Sequence, residues 1–589
     1  MIMLRKVRFG NLLLTLVMAG ILTIGCSPRT APEILPAFTD EIRIHDIQGC
    51  SHISPYAGSV VEDLGGIVTR KISNGFYLQD DQPDDQICSS EAIFVFTNTF
   101  PDVIPGDRVS VFGQVDEFQP GGFESENLTL TQLVSPEVKL ISRGNALPVV
   151  TVIGTGGVMP PGNVIDNDSL TVFDPQNDGI DFYESLESML VKINAGLVVG
   201  ARNQYNEVVV IPIDTLEDNL VSVTGALVQQ QTDPNPERII LKLNQENRSK
   251  VHVGAVLSEP VIGIMDYSYG NYKVNVLGIA AFTNVDHQLA VVEKSTGVLT
   301  IATYNVENLS RFDDARLTQL AEDIGAILGH PDLLVLHEIL DDSGVEDDGV
   351  VSANVTLDRL TDLIESSGGM AYGFIDNPPK NNQDGGIEGG NIRSVMLFRM
   401  DTLRLAEAKA AYLPENPTRF GPDSWPFSAA RKPLVALFEY GNTHLLIVAP
   451  HLTSRGADSP LFGRIQPIAM PEEEKRIAQA SFINEYLRNF RRRNPDIAII
   501  VAGDLNDDPW SKTLQALKGD LLVDLSAALP ANERYSYILD GNAIQLDYLL
   551  LSADSNWSAQ LKIVHIDSIY DHTLQMSDHD PLIAEITLP

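Results

Sequence analysis

Polar residues suited to metal binding and proton transfer recur in the C-terminal half of the chain where short apolar segments end. Asn305 follows the apolar segment 301–304, Glu338 follows 333–336, His451 follows 445–449, and Asp504 and Asn506 follow 499–501. If these segments are neighbouring strands, their ends meet at one edge of a sheet. Carboxylate and amide oxygens there would bind a hard divalent cation, and the imidazole would transfer a proton. Each residue alone is more often a cap or a turn residue, so the hypothesis depends on their convergence.

The segments that would position these residues alternate between strand and helix patterns. Apolar residues recur at helical spacing over 313–328 and again over 472–492. The predicted strands lie at 299–304, 332–336, 394–398, 444–449, 497–501, 545–551 and 582–586. This alternation predicts an α/β domain over residues 299–589 with a sizeable sheet core.

The chain before this domain has short alternating strands and turn residues, which indicate two all-β domains, at 42–145 and 146–298. In the first, five strands are predicted at 59–61, 66–69, 75–78, 92–96 and 108–113, as in a small barrel of the oligonucleotide-binding (OB) type. In the second, also expected to be OB-like, strands are predicted at 189–193, 207–213, 220–224 and 238–243. Such barrels bind single-stranded nucleic acid on aromatic side chains. The alternative is that they are rigid spacers or surface-docking modules.

The first 25 residues have the pattern of an export signal. Arg5, Lys6 and Arg8 precede an apolar run, 12–24, that is too short to span a membrane comfortably. The run ends at Cys26, and the segment Leu22–Cys26 resembles the bacterial lipobox, in which the cysteine is lipidated. We therefore expect a lipid-anchored protein of the bacterial cell envelope with a tether at 26–41. The alternative is a plain secretory signal with an incidental cysteine.

Two cysteines, Cys50 and Cys88, remain after Cys26. An even number in an oxidising compartment predicts one disulfide bond in the first domain, with two free thiols as the alternative.

The overall composition is that of a globular protein, with 44% hydrophobic and 20% charged residues. The formal net charge is -38, and loss of the three basic residues of the signal makes it -41. A chain this acidic repels polyanions. A nucleic-acid substrate would then require a bound divalent cation or local basic patches, and a smaller substrate is the alternative. No feature indicates an obligate protein partner.

Taken in order, the C-terminal motifs resemble those of the endonuclease/exonuclease/phosphatase superfamily, the fold class of pancreatic-type deoxyribonuclease. The matching segments are Thr303–Asn308, Pro331–Glu338, Gly389–Arg393, Ala449–Ser454, Val501–Asn506, Arg534–Tyr537 with Asp547-Tyr548, and Ser577–Pro581. Further segments, Asp178–Glu187 and Pro460–Arg464, are similar to bacterial extracellular nucleases. The resemblance implies a four-layer α/β sandwich for the C-terminal domain.

The resemblance also implies a role for each matching residue. Asn305, Glu338 and Asp578 would bind Mg²⁺ or Mn²⁺, Asp504 would activate water, Asn506 would bind phosphate, and His451 and His579 would act at the phosphate, with Asp547 as the partner of His579. Because both histidines lie near carboxylates, we expect their proton affinity to be raised.

Three features near these motifs leave alternatives open. Arg393 could grip two phosphate oxygens or form a structural salt bridge. His337 stands where the family usually has Gln, which affects the local hydrogen bonds. The acidic segment 341–348 fits either a Ca²⁺-binding loop or a solvated loop.

Together these features predict a metal-dependent phosphodiesterase, an extracellular nuclease that hydrolyses DNA, with RNA as the alternative, by direct in-line attack of water. The competing hypotheses are a phosphatase or lipid phosphodiesterase of the same fold, and a non-catalytic lipoprotein that binds nucleic acid.

Overall fold

The computed structural model describes residues 42–588 except 85, 218, 289, 290, 293, 294, 296, 369, 407–417 and 555. The predicted export signal, the tether and the lipidation site Cys26 lie outside the described residues. Of the helices within the described residues, none has the length and apolar character needed to cross a membrane.

The N-terminal region is a short helix followed by five strands that close into a barrel. The elements are α1 (Ile44–Gln48), β1 (Val60–Ile72), β2 (Gly75–Gln79), β3 (Ala92–Phe96), β4 (Arg108–Phe118) and β5 (Leu130–Ser142). The strand order is β1-β2-β3-β5-β4, and β4 pairs with β1 to close the barrel. Along β4, Val109, Val111 and Val115 are buried and alternate with more exposed residues, as expected of a strand with one face in a core.

The barrel has as many strands as the sequence predicts, but they are not the same five. The predicted strands 59–61 and 66–69 merge into β1. A β-bulge between Val61 and Leu64 interrupts that strand, and Asp63 adopts a φ of 52° there. The residues interpreted as a turn therefore form a bulge. The fifth strand is β5, which was not predicted, and assignment to the OB type stays a prediction.

A disulfide bond joins Cys50, just after α1, to Cys88, just before β3. This confirms the predicted pairing over the alternative of two free thiols. The two cysteines are 38 residues apart in the chain. A cross-link over a loop of this size stabilises a fold by about 4 kcal/mol, mainly by restricting the unfolded chain.

The second region is also all-β, but it differs from the predicted small barrel. Its elements are β6 (Thr151–Ile153), α2 (Gly179–Glu184), β7 (Leu190–Ile193), β8 (Gly196–Gly200), β9 (Glu207–Pro212), β10 (Leu227–Val228), β11 (Ile239–Lys242), β12 (Val256–Leu257), β13 (Val261–Ser268), β14 (Asn271–Val276) and β15 (Phe282–Thr283). Nine strands form one sheet in the order β15-β12-β8-β9-β11-β14-β13-β7-β6. The predicted strand at 220–224 is wrong, because this segment contains a turn that closes on Gly225.

Within the described residues, the C-terminal region contains two main sheets and four α-helices. Its elements are β16 (Leu299–Leu309), α3 (Asp314–Glu322), β17 (Leu333–Ile339), α4 (Asn354–Gly368), β18 (Tyr372–Asp376), β19 (Arg393–Arg399), β20 (Leu403–Leu405), β21 (Thr418–Arg419), β22 (Leu434–Tyr440), β23 (Thr443–Ala449), α5 (Glu473–Arg493), β24 (Ala498–Asp504), α6 (Lys512–Lys518), β25 (Leu522–Asp524), β26 (Tyr537–Leu539), β27 (Asn542–Ile544), β28 (Asp547–Ser552), β29 (Ser558–Ile563) and β30 (Leu582–Thr587). A π-helical turn, Asp323–Ile327, continues α3 and completes the predicted helix.

These elements pack in four layers. The first sheet has the order β18-β19-β17-β16-β30-β29, and the second has the order β20-β22-β23-β24-β28-β25. One apolar core fills the space between the sheets, where Ile301 and Val335 face Ile447 and Ile500. A second core lies between the first sheet and α3 and α4, and a third lies between the second sheet and α5 and α6. Helices therefore cover the outer face of each sheet.

A small three-stranded sheet connects the second region to the C-terminal region. Strand β10 pairs in parallel with β27, which pairs with β26 in a hairpin. Asn235 donates a hydrogen bond of 2.6 Å to Asn542, and Arg202 forms an ion pair of 2.7 Å with Asp571. These contacts attach the nine-stranded sheet beside the segment that carries His579.

Candidate active site

The strand register brings the predicted site residues to one end of the two central sheets. In the first sheet, Asn305 on β16 pairs with position 337 of β17, directly before Glu338. In the second sheet, Asp504 at the end of β24 lies opposite Asp547 at the start of β28. The backbone of Asp504 also pairs with that of His451 in an isolated β-bridge.

Asn305, Glu338, Asp504 and His451 form one hydrogen-bonded group. The side-chain amide of Asn305 donates to Asp504 Oδ2 at 3.0 Å and to Glu338 Oε1 at 3.3 Å. His451 Nε2 lies 3.4 Å from the same oxygen of Asp504 and 3.7 Å from Glu338 Oε1. Asn305 and Glu338 of the first sheet therefore meet Asp504 and His451 of the second sheet at one centre.

His579 and Asp547 form a second group against the first. His579 Nδ1 lies 2.7 Å from Asp547 Oδ2, and the Ser536 hydroxyl donates to the same carboxylate oxygen at 2.7 Å. Ligand atoms of Asp504, Asp547 and His579 all lie within 4.8 Å of one another, and all three residues are buried. The ring of Tyr537 packs on His579, with 4.8 Å between the centroids.

The two histidines have opposite electrostatic environments. Burial, the largest influence on His579, lowers its pKa, but the neighbouring Asp547, Asp578 and Asp504 together outweigh it and raise that pKa well above its usual value. For His451, burial and then the charge of Arg431 lower the pKa well below the usual value. The expected raised proton affinity is therefore wrong for His451, because desolvation there exceeds the attraction of the carboxylates.

Asp504 has the properties of a proton acceptor near neutral pH. Burial, followed by repulsion from Asp547, raises its pKa to about 7. The backbone amide of Asn506 donates to Asp504 Oδ1 at 2.8 Å, and the Asn506 side chain donates to the Leu452 carbonyl at 3.3 Å. Two residues of the site, Glu338 and Asn506, adopt left-handed φ values of 64° and 52°. Such conformations cost free energy outside glycine and persist where the surroundings enforce them.

Residues 302–579 match the model of the Endonuclease/Exonuclease/phosphatase family. This segment is an endonuclease/exonuclease/phosphatase domain. Members of the family are phosphoester hydrolases that generally use divalent metal ions. Residues 152–284, which contain most of the nine-stranded sheet, match a domain of unknown function, DUF8508. No curated protein matches the chain in sequence.

Several solved structures are similar to the endonuclease/exonuclease/phosphatase domain. The human Nocturnin catalytic domain with bound sulfate is 17% identical, with a TM-score of 0.35, and the match covers 51% of this chain and 97% of that chain. A family protein from Bacteroides thetaiotaomicron is 17% identical, with a TM-score of 0.33 and coverage of 49% and 94%. The mannosyl-6-phosphatase Bt3783 of the same organism is 17% identical, with a TM-score of 0.31 and coverage of 49% and 99%.

A metal would be held in the endonuclease/exonuclease/phosphatase domain by oxygen ligands. Glu307, which is not among the predicted ligands, interacts by charge with Asp578 and Glu338. Among the described residues of this centre, Asp504, Asp547 and His579 are the group whose ligand atoms have metal-binding spacing. Burial, followed by repulsion from Asp578 and Glu338, raises the pKa of Glu307 to about 7. Asp547 Oδ1 is buried and has no hydrogen-bond partner among the described residues. An excess of buried or crowded carboxylate oxygens is the donor set that a hard divalent cation requires.

Arg393 has no role at this centre, which corrects its prediction as a phosphate ligand. Its side chain is 0% exposed and forms an ion pair of 3.1 Å with Asp376. The guanidinium also donates to the carbonyls of Val351 and Asn391. Because these partners occupy both terminal nitrogens, the contacts favour the structural salt bridge over the phosphate contact.

Arg431 is the cation that lies near the carboxylates instead. It donates to the carbonyl oxygens of His451 and Leu452, and its charge interacts with Glu338 and Asp504. No motif marked it, since it lies in a loop of irregular structure before β22. Arg431 positions the segment that carries His451.

His337 lies behind the centre as a neutral hydrogen-bonding group. Its Nδ1 is 2.9 Å from the Ser394 hydroxyl, its Nε2 is 3.3 Å from the Thr303 hydroxyl, and burial lowers its pKa to about 4. The ring packs edge-on against His451 at 5.6 Å. Although His337 stands where the family usually has Gln, both of its ring nitrogens have hydrogen-bonding partners.

The acidic segment 341–348 serves local structure. Asp341 accepts a hydrogen bond from Asn391 at 2.9 Å, and Asp342 accepts one from the backbone amide of Thr356 at 3.0 Å. Within the described residues, no group of three potential metal ligands includes this segment. These contacts favour a structural loop over the alternative of a Ca²⁺-binding loop.

Proposed function

We propose that this protein is a metal-dependent phosphodiesterase that cleaves nucleic acid, with DNA as its principal substrate. The observation that carries the proposal is the buried Asp547–His579 pair beside Asp504. It brings a proton acceptor, Asp504, within 4.8 Å of the His579 imidazolium. Carboxylates alone would repel a phosphodiester. The adjacent Glu338 and Asp578 would hold Mg²⁺ or Mn²⁺, which supplies positive charge for the phosphate oxygens when bound.

The residues of the chain divide the reaction between a base and an acid. Asp504, with a pKa of about 7, accepts a proton from water as the water attacks phosphorus. His579, held protonated by Asp547, donates a hydrogen bond to the phosphate as negative charge accumulates in the transition state. Asn506 and His451 contribute neutral hydrogen bonds, since burial keeps His451 unprotonated. Water attacks phosphorus directly while the bond from phosphorus to the leaving oxygen breaks, and the His579 imidazolium donates its proton to that oxygen, so no covalent enzyme intermediate forms.

The location and the accessory domains complete the proposal. The basic residues, apolar run and Cys26 of the N-terminus support export and a lipid anchor in the bacterial envelope. The closed barrel order supports an OB-like domain that binds nucleic acid. The net charge of -38 is offset at the reaction centre by the bound cation and by Arg431.

Cleavage of supercoiled plasmid by the full-length protein in detergent tests this function. We expect Mg²⁺-dependent nicking that chelator abolishes and that His579→Ala loses. His444→Ala is the matched control, because His444 is 40% exposed in its side chain and lies at the opposite end of β23. If a folded, Mg²⁺-loaded protein cleaves neither plasmid nor linear DNA, RNA or small phosphodiesters, the proposal is wrong.

A further inference from the structure

A cleft of about 1060 Å³ lies between the nine-stranded sheet and the endonuclease/exonuclease/phosphatase domain. At one end it is lined by Glu307, Asp578 and Tyr537, and the ring of Tyr537 packs on His579. Its volume is slightly above the range for sites that bind drug-sized ligands, roughly 300–1,000 Å³. The cleft therefore leads from the reacting groups to a surface that the endonuclease/exonuclease/phosphatase domain does not itself provide.

The wall formed by the nine-stranded sheet presents two exposed tyrosines. Tyr205 lies between β8 and β9 and is 64% exposed, and Tyr269 lies in the turn between β13 and β14 and is 84% exposed. Tyr269 adopts a φ of 52°, which is uncommon for a residue with a bulky side chain. The Nζ of Lys273 lies 5.7 Å from the centre of its ring, a cation–π distance. The fold thus holds apolar ring faces in solvent at the edge of the cleft.

The same wall carries two lysine side chains whose positive charge is only partly balanced by Glu207. Lys273 and Lys242 both contact the same oxygen of Glu207, at 2.8 Å and 3.3 Å. One carboxylate therefore faces two ammonium groups, and Lys242 keeps 39% of its side chain exposed. Over the whole cleft, four basic side chains face four acidic ones, whereas the entire chain carries a formal charge of -38. An anion meets less repulsion here than over the molecule as a whole.

The cleft is assembled before any ligand binds. Strand β10 of the second region pairs with β27 of the C-terminal region, Arg202 forms a bidentate ion pair with Asp571, and Asn271 donates to Asp540 at 3.1 Å. These contacts hold both walls in place. A preformed site loses less conformational entropy when it binds a flexible chain.

We propose that this cleft binds an unpaired stretch of nucleic acid, whose bases stack on Tyr205 and Tyr269 while a phosphate lies against Lys242. The inference rests on the proposed function and narrows its substrate to single-stranded or locally unpaired nucleic acid leading into the reaction centre. Exposed aromatic faces beside cations favour unpaired bases, because bases in a duplex already stack on each other. The domain at 152–284 then selects the substrate.

A binding titration tests the site separately from catalysis. The full-length protein in chelator, which prevents cleavage, is titrated against a fluorescent 12-nucleotide thymidine strand and followed by anisotropy. We expect Tyr205→Ala/Tyr269→Ala to raise the Kd at least tenfold, because the variant loses both rings on which bases stack. Tyr205→Phe/Tyr269→Phe should keep the wild-type Kd. Phe123→Ala is the matched control, because Phe123 is also 84% exposed but does not line the cleft.

A cleavage assay with Mg²⁺ links the site to the reaction. For the double alanine variant, we expect kcat/KM on the oligonucleotide, divided by kcat/KM on bis(p-nitrophenyl) phosphate, to fall at least tenfold. An unchanged ratio, or equal Kd values for wild type and the double alanine variant, overturns the inference. If the wild type hydrolyses neither substrate, the proposed function fails. The anisotropy result still tests the binding role of the cleft: binding that depends on the two tyrosines supports this role, and binding that does not depend on them contradicts it.

Discussion

His579 Nδ1 and Asp547 Oδ2 lie 2.7 Å apart in a buried pair, and the Ser536 hydroxyl donates to the same carboxylate oxygen. Desolvation alone would leave this imidazole neutral. The Asp547 carboxylate, between β28 and the loop before β30, contributes most to keeping it protonated, and the charges of Asp578 and Asp504 add to this effect.

Replacing the carboxylate by an amide, Asp547→Asn, should remove that protonation. We expect the His579 pKa to fall, because burial then acts with less opposing charge, and kcat to fall about 100-fold, as for loss of a general acid. NMR titration of histidine-labelled, metal-free protein reports the pKa, and steady-state kinetics report the activity. His444→Gln controls for the assay. Activity within twofold of wild type would rule out a role for the pair.

Metal binding should stabilise the protein through its acidic centre. At Mg²⁺ concentrations about 100-fold above the Kd, the free energy of unfolding rises by about 2.7 kcal/mol, which thermal unfolding detects. Glu338→Gln should lose most of this increase together with the activity. Glu346→Gln, an exposed change in the acidic segment 341–348, should retain both. Loss of the increase in Glu346→Gln but not in Glu338→Gln would instead place the cation in that segment.

Arg393→Met should lower stability, with little effect on the reaction. The substitution leaves Asp376 with its ion-pair partner removed, and breaking a buried pair costs about 3–5 kcal/mol. Chemical denaturation measures the free energy of unfolding, and KM for the oligonucleotide should stay within twofold of wild type under conditions where the variant is folded. A stable variant with a KM raised tenfold would instead support the phosphate contact.

His52 should give the stability a pH dependence in the alkaline range. Burial lowers its pKa, but hydrogen bonds and charges of Asp181 and Glu184 outweigh burial and raise it from 6.5 to about 10. Because the folded pKa is the higher one, the stabilisation is complete below about pH 6.5 and is lost as pH rises through 10. His52→Gln should therefore destabilise by about 3 kcal/mol at pH 6.

The difference in unfolding free energy between wild type and His52→Gln should shrink steadily between pH 7 and pH 10. Urea denaturation at several pH values measures it. A difference that does not vary with pH would show that His52 contributes only packing.

Local sequence patterns predict an element correctly where its own residues have a clear apolar periodicity. The helices at 313–328 and 472–492 were predicted from apolar spacing, and the structure has α3 with its π-helical turn and α5 at those places. The 15-residue helix α4 was not predicted, although Leu357, Leu360 and Ile364 form its buried face. Strand β10 is only two residues long and exists because β27 pairs with it.

The sequence by itself determined six residues of the candidate site, because Asn305, Glu338, His451, Asp504, Asp547 and His579 occur in ordered motifs in or beside predicted strands. Tertiary structure alone decided their protonation and their neighbours. The pKa of His451 falls while that of His579 rises, since burial and the distance to each charge are properties of the packed chain. Arg393 lies in an ion pair and Tyr205 and Tyr269 border the cleft for the same reason: residues far apart in sequence meet only when the sheets pack.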